Sequence, residues 1–384
     1  MFEFVTAGRI LFGPGAMNQA GTLAAELGHK VLIASGRPSQ DTSALTKRLQ
    51  NTGMEAVLFP VRGEPTIELV HEATELARAE HCDLLIGFGG GSAIDTAKAT
   101  AALLANGGEP LDYLEVIGKG KPITRVSTPW IAIPTTAGTG AEVTRNAVLG
   151  SHQYAVKVSL RSPFMLPRVA LVDPDLTLSV PPAVTASTGM DTLAQLIEPF
   201  VSVRANPFTD AFCREGMQRV ARSLRKAYQH GDDRNAREDM ALASLWGGLA
   251  LANAGLGAVH GFAGPIGGMY SAPHGAVCAK LLSPVMAMNV QALRERNPGS
   301  SVLKRYDEVA QLLTGRPSAI ASDGVTWVQE LCRALAIAPL SAYGLSGNDL
   351  PDLVVKSIPA SSMQANPIKL TPDEMRAVLA EALV

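Results

Sequence analysis

Asp83-Leu84-Leu85-Ile86-Gly87-Phe88-Gly89-Gly90-Gly91-Ser92-Ala93-Ile94-Asp95-Thr96-Ala97-Lys98 is the stretch that decides the fold. Its opening residues form an apolar run short enough for a buried strand, and the residues over 93–104 continue at helical spacing. Between them the glycines let a backbone approach a pyrophosphate, and the helix start offers free N–H groups and a positive dipole end. Ser92 is placed to be the N-cap, with Asp95 at the capping-box position. A tight strand-to-helix turn with no ligand explains the same glycines, and two strand–helix units precede them, unlike the usual dinucleotide fingerprint.

Working outward, the same alternation repeats. Strands are expected over 30–35, 54–59, 83–88 and 130–134, with helices over 41–52, 66–80 and 93–104. Such alternation predicts a doubly wound α/β domain built on a parallel sheet. A second polar loop, Pro134-Thr135-Thr136-Ala137-Gly138-Thr139-Gly140-Ala141-Glu142-Val143-Thr144, also follows a strand. Two such loops favour a nucleotide crevice at the carboxyl edge of the sheet. Residues 154–158 and 169–173 read as the last strands. Past Pro181-Pro182 helical patterns follow one another, over 183–201, 210–229, 237–254, 276–293, 302–313, 325–335, 350–358 and 373–383. The chain therefore divides into an α/β domain, 1–180, and an all-helical domain, 181–384.

Composition narrows the function classes. Hydrophobic residues are 47% and charged residues 18%, which suits a sizeable core. A net charge of -2 gives no electrostatic case for nucleic acid or an anionic membrane. No apolar run is expected to reach the roughly 18 to 20 residues of a bilayer span, and the N-terminus lacks the pattern of a signal peptide. Four widely spaced cysteines, Cys82, Cys213, Cys278 and Cys332, argue against a disulfide scaffold and fit a reducing cytoplasm.

Asp191 and Gln195 stand four apart and share a helix face. His260 and His274 flank the glycine-rich run 261–268. Together the four offer a carboxylate, an amide and two imidazoles to a divalent cation. Phe262, Tyr270 and Cys278 lie near them in sequence and read as pocket wall and core, with ligation or reactivity of the Cys278 thiol as the alternative.

Taken together, Gly89-Gly90-Gly91-Ser92-Ala93-Ile94-Asp95-Thr96-Ala97-Lys98, Pro134 to Thr144, Asp173-Pro174, Gly189-Met190-Asp191, Asn253-Ala254-Gly255-Leu256-Gly257-Ala258-Val259-His260 and Pro273-His274-Gly275 resemble the iron-containing (group III) alcohol dehydrogenase family, which is related to glycerol dehydrogenase and dehydroquinate synthase. The resemblance implies a dinucleotide-binding α/β domain, an all-helical domain and a metal in the cleft between them. It implies cofactor contacts at Gly90, Gly91, Ser92, Asp95, Thr135, Thr136, Thr144 and Lys157. It also implies Asp191, His260 and His274 as metal ligands and catalytic residues. Where such relatives carry a further histidine ligand this chain has Gln195. The amide either ligates through its oxygen, weakening iron or zinc and favouring oxygen-loving cations, or hydrogen-bonds nearby without touching metal. Where many relatives carry a proton-relay histidine stands Gly264, which enlarges the pocket for a substrate bulkier or more polar than ethanol. Gly36 replaces the acidic residue that binds a ribose 2′-hydroxyl, and with Arg37 and Ser39 beside it the expectation shifts toward NADP over NAD.

The implied function is hydride exchange between an alcohol and an aldehyde or ketone, using NAD or NADP and a divalent metal, iron or zinc, as Lewis acid. A homodimer or larger assembly is expected. Two alternatives stay open: a metal-independent oxo-acid reductase of the maleylacetate reductase kind, and a non-catalytic nucleotide-binding protein.

Overall fold

The computed structural model describes all residues except 37, 38, 152 and 155. Two compact units emerge: Val5–Ser179, and Val180–Val384 together with Met1–Phe4.

The first unit holds a six-stranded, fully parallel sheet. Its strands are β1 (Arg9–Phe12), β2 (Lys30–Ser35), β3 (Glu55–Pro60), β4 (Leu84–Gly89), β5 (Trp130–Pro134) and β8 (Val169–Val172), in the order β1-β8-β5-β4-β2-β3. Helices α1 (Ala20–Ala25), α2 (Gln40–Gln50), α3 (Ile67–Ala79), α4 (Gly91–Asn106) and the short α5 (Pro110–Tyr113) complete it. Alternation along β2 explains the layering. Val31 and Ile33 pack with Leu45 and Leu49 of α2, whereas Leu32 and Ala34 pack with Ala73 and Ala77 of α3 and with Ile94 and Ala97 of α4. Each fully buried leucine or isoleucine contributes about 1.5–3 kcal/mol. The strand path reverses between β2 and β4: β3 follows on the far side of β2, whereas β5 lies on the other side of β4. A crevice opens at such a reversal, beyond the carboxyl ends of the two strands.

Three details depart from the sequence expectation. The strand β1, only four residues long and half-exposed, was not expected. The strand expected over 154–158 lies instead at β7 (Val156–Arg161), which pairs antiparallel with β6 (Asn146–Ser151) in a separate two-stranded sheet. Ser92 does not cap α4: the N-cap is Gly90, with no side-chain hydrogen bond, and Asp95 is turned elsewhere.

The second unit is helical: α6 (Pro182–Val201), α7 (Pro207–Gln229), α8 (Arg234–Ala254), α9 (Ala258–Met269), α10 (His274–Arg296), α11 (Val302–Thr314), α12 (Ala321–Ala334), α13 (Leu350–Ser357) and α14 (Pro372–Ala382). Phe2 and Phe4 pack edge-on against Phe208 of α7. Helix α9 is absent from the sequence reading, because its four glycines and Pro265 hide the helical period. Helix α10 is, contrary to that reading, long and apolar enough to cross a membrane. Yet 78% of its apolar window is buried inside the protein, where it packs on α6, α9, α12 and α14. Its hydropathy is that of a core helix.

Candidate metal and cofactor sites

Helix α6 supplies Asp191, Gln195 and Glu198, at i, i+4 and i+7 on one face. All three are buried. His260 comes from the first turn of α9, and α10 carries His274 at its first position and Cys278 one turn later. The start of α10 is pressed onto α6 at Gly275, where a Cβ would run into the carbonyl of Ser187. Only glycine permits that approach, and it brings His274 to Asp191.

The ligand atoms of Asp191, His260, His274 and Cys278 all lie within 4.8 Å of one another. His260 Nε2 is 3.2 Å and His274 Nε2 3.9 Å from Asp191 Oδ1. Cys278 Sγ is 3.8 Å from His260 Nε2 and 3.6 Å from His274 Nε2. Behind His260, Glu198 Oε2 meets Nδ1 at 2.5 Å while Oε1 accepts from the Val259 N–H at 2.7 Å. A carboxylate on one imidazole nitrogen directs the other toward a metal. Gln195 donates from Nε2 to Asp191 Oδ2 at 2.9 Å, and its buried Oε1 has no hydrogen-bond partner.

Electrostatics follow the packing. Burial opposes charge on Asp191, but the His260 hydrogen bond and the His274 and His260 charges outweigh it and hold the carboxyl below its usual range. Burial likewise opposes protonation of His260, and the charges of Cys278 and Glu198, with the bond to Asp191, lift it well above its ordinary value. The charge of Cys278, joined by that of Asp191, raises His274 against its burial. Two acids and a thiol converge on two imidazoles, a set that suits a divalent cation. Tetrahedral coordination at ordinary metal–nitrogen and metal–sulfur lengths spaces donor atoms by about 3.3–3.6 Å, close to the separations found. The residues present fit a metal.

In the first unit, Gly36 follows the end of β2, Gly90, Gly91 and Ser92 follow β4, and Thr135 and Thr136 follow β5. These six are partly exposed. The two polar loops touch: a Cβ on Gly91 would sit 3.0 Å from Thr139 Cγ2, and one on Gly90 would sit 3.3 Å from Thr136 Oγ1. Arg37 lies outside the described residues. Asp95 and Thr144 serve the scaffold. Both face Lys98, whose fully buried Nζ donates to Thr144 Oγ1 (2.8 Å), Ala141 O (2.9 Å) and Asn146 O (2.7 Å) and lies 3.6 Å from Asp95 Oδ1. Asp95 Oδ2 also accepts from the Val148 N–H. Burial drives this pair toward neutrality, Asp95 upward and Lys98 downward. Lys157 pairs with Glu64 at 2.5 Å. The uncapped start of α4 and the glycine cradle beside it fit a dinucleotide phosphate.

A profile described as iron-containing alcohol dehydrogenase matches residues 7–174, and one described as its C-terminal family matches residues 185–383. The chain belongs to the iron-containing alcohol dehydrogenase family. Among similar curated proteins is an NAD-dependent methanol dehydrogenase of Bacillus methanolicus, 33% identical with 100% of both chains covered. Among solved structures, a 1,3-propanediol oxidoreductase superposes with a TM-score of 0.92 at 31% identity, covering 100% of each chain. A sulfoacetaldehyde reductase from Bifidobacterium kashiwanohense in complex with NAD+ gives 0.87 at 28% identity, covering 100% of this chain and 99% of that one. This family member is thus a metal-dependent, NAD-type oxidoreductase interconverting alcohols and carbonyl compounds.

Within this alcohol dehydrogenase, sequence reasoning missed Glu198 and Lys98, and it favoured a core role for Cys278, which the structure places among the candidate ligands. Each carried a signal. Glu198 continues the helical face of Asp191 and Gln195, Cys278 stands one turn from His274, and Lys98 is a lone cation among alanines and threonines.

Proposed function

We propose that the enzyme oxidises a primary alcohol, or reduces the matching aldehyde, using a metal held by Asp191, His260 and His274. The observation that carries this reading is the convergence of those three groups, with Glu198 backing His260. When bound, the metal supplies Lewis acidity toward the substrate oxygen. The nicotinamide supplies or accepts the hydride. The protein's own contribution is orientation. Glu198 fixes His260 with Nε2 toward Asp191, and Gln195 holds the second carboxylate oxygen of Asp191. Gly90, Gly91, Ser92, Thr135 and Thr136 cradle the cofactor phosphates. Asp95, Thr144 and Lys98 hold the two loops in register, and Lys157 is paired with Glu64.

Open space surrounds the position of Gly264, where a Cβ would meet nothing within 4 Å. This supports a substrate larger or more polar than ethanol. A side chain on Gly36 would also meet nothing within 4 Å. With no carboxylate there, a 2′-phosphate meets no repulsion, which favours NADP tolerance or preference. Zinc suits these donors as well as iron does. We further propose a cytoplasmic homodimer or larger homo-oligomer. The test is NADH and NADPH oxidation across a panel of linear, hydroxylated and acidic aldehydes, with and without chelator. Metal-dependent turnover of a hydroxylated or longer aldehyde, using NADPH at least as well as NADH, is expected. Chelator-insensitive turnover of an oxo acid alone would overturn the reading.

A further inference from the structure

We infer that Cys278 is a direct ligand of the metal, as its thiolate, and that Gln195 is not a ligand. This inference rests on the metal site proposed above. Cys278 is completely buried. It faces the Nε2 atoms of His260 and His274 at 3.8 and 3.6 Å. A donor pair of one sulfur and one imidazole nitrogen on a shared tetrahedral metal is separated by about 3.5 Å, given bonds of about 2.3 and 2.0–2.1 Å. The observed separations match within a few tenths of an ångström. The helix makes this possible, because His274 and Cys278 are one turn apart on α10 and share its face.

Gln195 is oriented otherwise. The atom it presents to Asp191 is its amide nitrogen, a donor with no capacity to bind a cation. Its buried oxygen has no hydrogen-bond partner and lies near Gly247, where a Cβ would sit 3.5 Å from it. The amide therefore steadies Asp191 from outside the coordination sphere. The donor set becomes one carboxylate oxygen, two imidazole nitrogens and one thiolate. On binding, the Cys278 S–H bond breaks, a metal–sulfur bond forms and the proton leaves to solvent. Thiolate moves preference toward zinc or cobalt and away from magnesium or manganese, reversing the direction expected from Gln195 alone.

The experiment is X-ray absorption on the zinc-reconstituted full-length protein, paired with cobalt(II) substitution followed by near-ultraviolet absorption. A single sulfur at about 2.3 Å from zinc, and a thiolate-to-cobalt charge-transfer band, are expected. Cys278→Ser should remove both signals and weaken zinc binding more than roughly tenfold, while Gln195→Ala should retain the sulfur shell. Stoichiometric zinc with only nitrogen and oxygen neighbours would overturn the assignment and leave the metal site standing. Failure of any divalent metal to bind the folded wild-type protein would overturn the site on which it rests. The wild-type spectra decide even if a variant fails to fold.

Discussion

Replacing Glu198 with glutamine probes how the protein prepares His260. The wild-type carboxylate meets Nδ1 at 2.5 Å and takes the Val259 N–H at 2.7 Å, and it is buried. With Nδ1–H donating to Glu198, Nε2 is the nitrogen that would turn its lone pair to a metal seated beside Asp191. Glutamine preserves the shape and the acceptor for Val259. It brings no charge, however, and an amide N–H facing Nδ1 selects the opposite tautomer, in which Nε2 carries the proton. Loss of such a partner weakens metal binding by about 10–100-fold, which is about 1.4–2.7 kcal/mol. Chelator competition for zinc reads this directly, with thermal unfolding confirming that the variant is folded. The alanine variant additionally strands the Val259 N–H, so it should lose about 1–3 kcal/mol of stability as well. A folded Glu198→Gln protein that binds zinc within about twofold of wild type would refute this reasoning.

Further predictions concern the cofactor unit. Burial pushes the Glu142 carboxyl up to about 7 from an ordinary 4.5. The folded state then holds a proton that the unfolded chain has lost, so stability falls as pH rises from 4.5 through about 7. The penalty, on the order of 3 kcal/mol, is complete above that. Glu142→Gln should match wild type in urea denaturation near pH 4 and exceed it at pH 8; parallel pH profiles would contradict this. Lys98→Met removes three hydrogen bonds and the partner of Asp95. It should lower stability by about 3–5 kcal/mol and weaken NADPH binding, and equal denaturation midpoints would argue against the assigned role. Gly36→Asp should lower the NADPH-to-NADH ratio of kcat/KM by at least about tenfold through repulsion of a 2′-phosphate; an unchanged ratio would mean that the cofactor does not pass this residue.

What the sequence made legible follows from the range of each interaction. The strands at 30–35 and 83–88 are apolar on both faces because helices cover both sides of the sheet, and that pattern is local. The glycine loop after β4 and the threonine loop after β5 were equally readable, since each is a continuous run of residues that directly follows a strand. Helix α9 was not, because close packing demands glycine where helical propensity does not. The expected Ser92 cap failed because Gly90 already takes the cap position, leaving the first-turn N–H groups without a side-chain acceptor. Asp95 gave up its capping role for Lys98, three residues on along the same helix, and for the Val148 N–H, 53 residues away, which no local pattern reports. Asp191, His260 and His274 stood out as a candidate cation site by residue type and helix spacing, and the family resemblance gave them their implied roles. Glu198 and Cys278 needed the tertiary fold, since their chemistry depends on which helix they face.

The central claim is that hydride transfer here requires a metal seated among Asp191, His260 and His274. Its most direct test is turnover and metal content of the same preparation before chelation, after it, and after zinc or iron is returned. The account predicts about one metal per chain, loss of aldehyde reduction in step with metal removal, and recovery on reconstitution. Full activity in metal-free protein would contradict it.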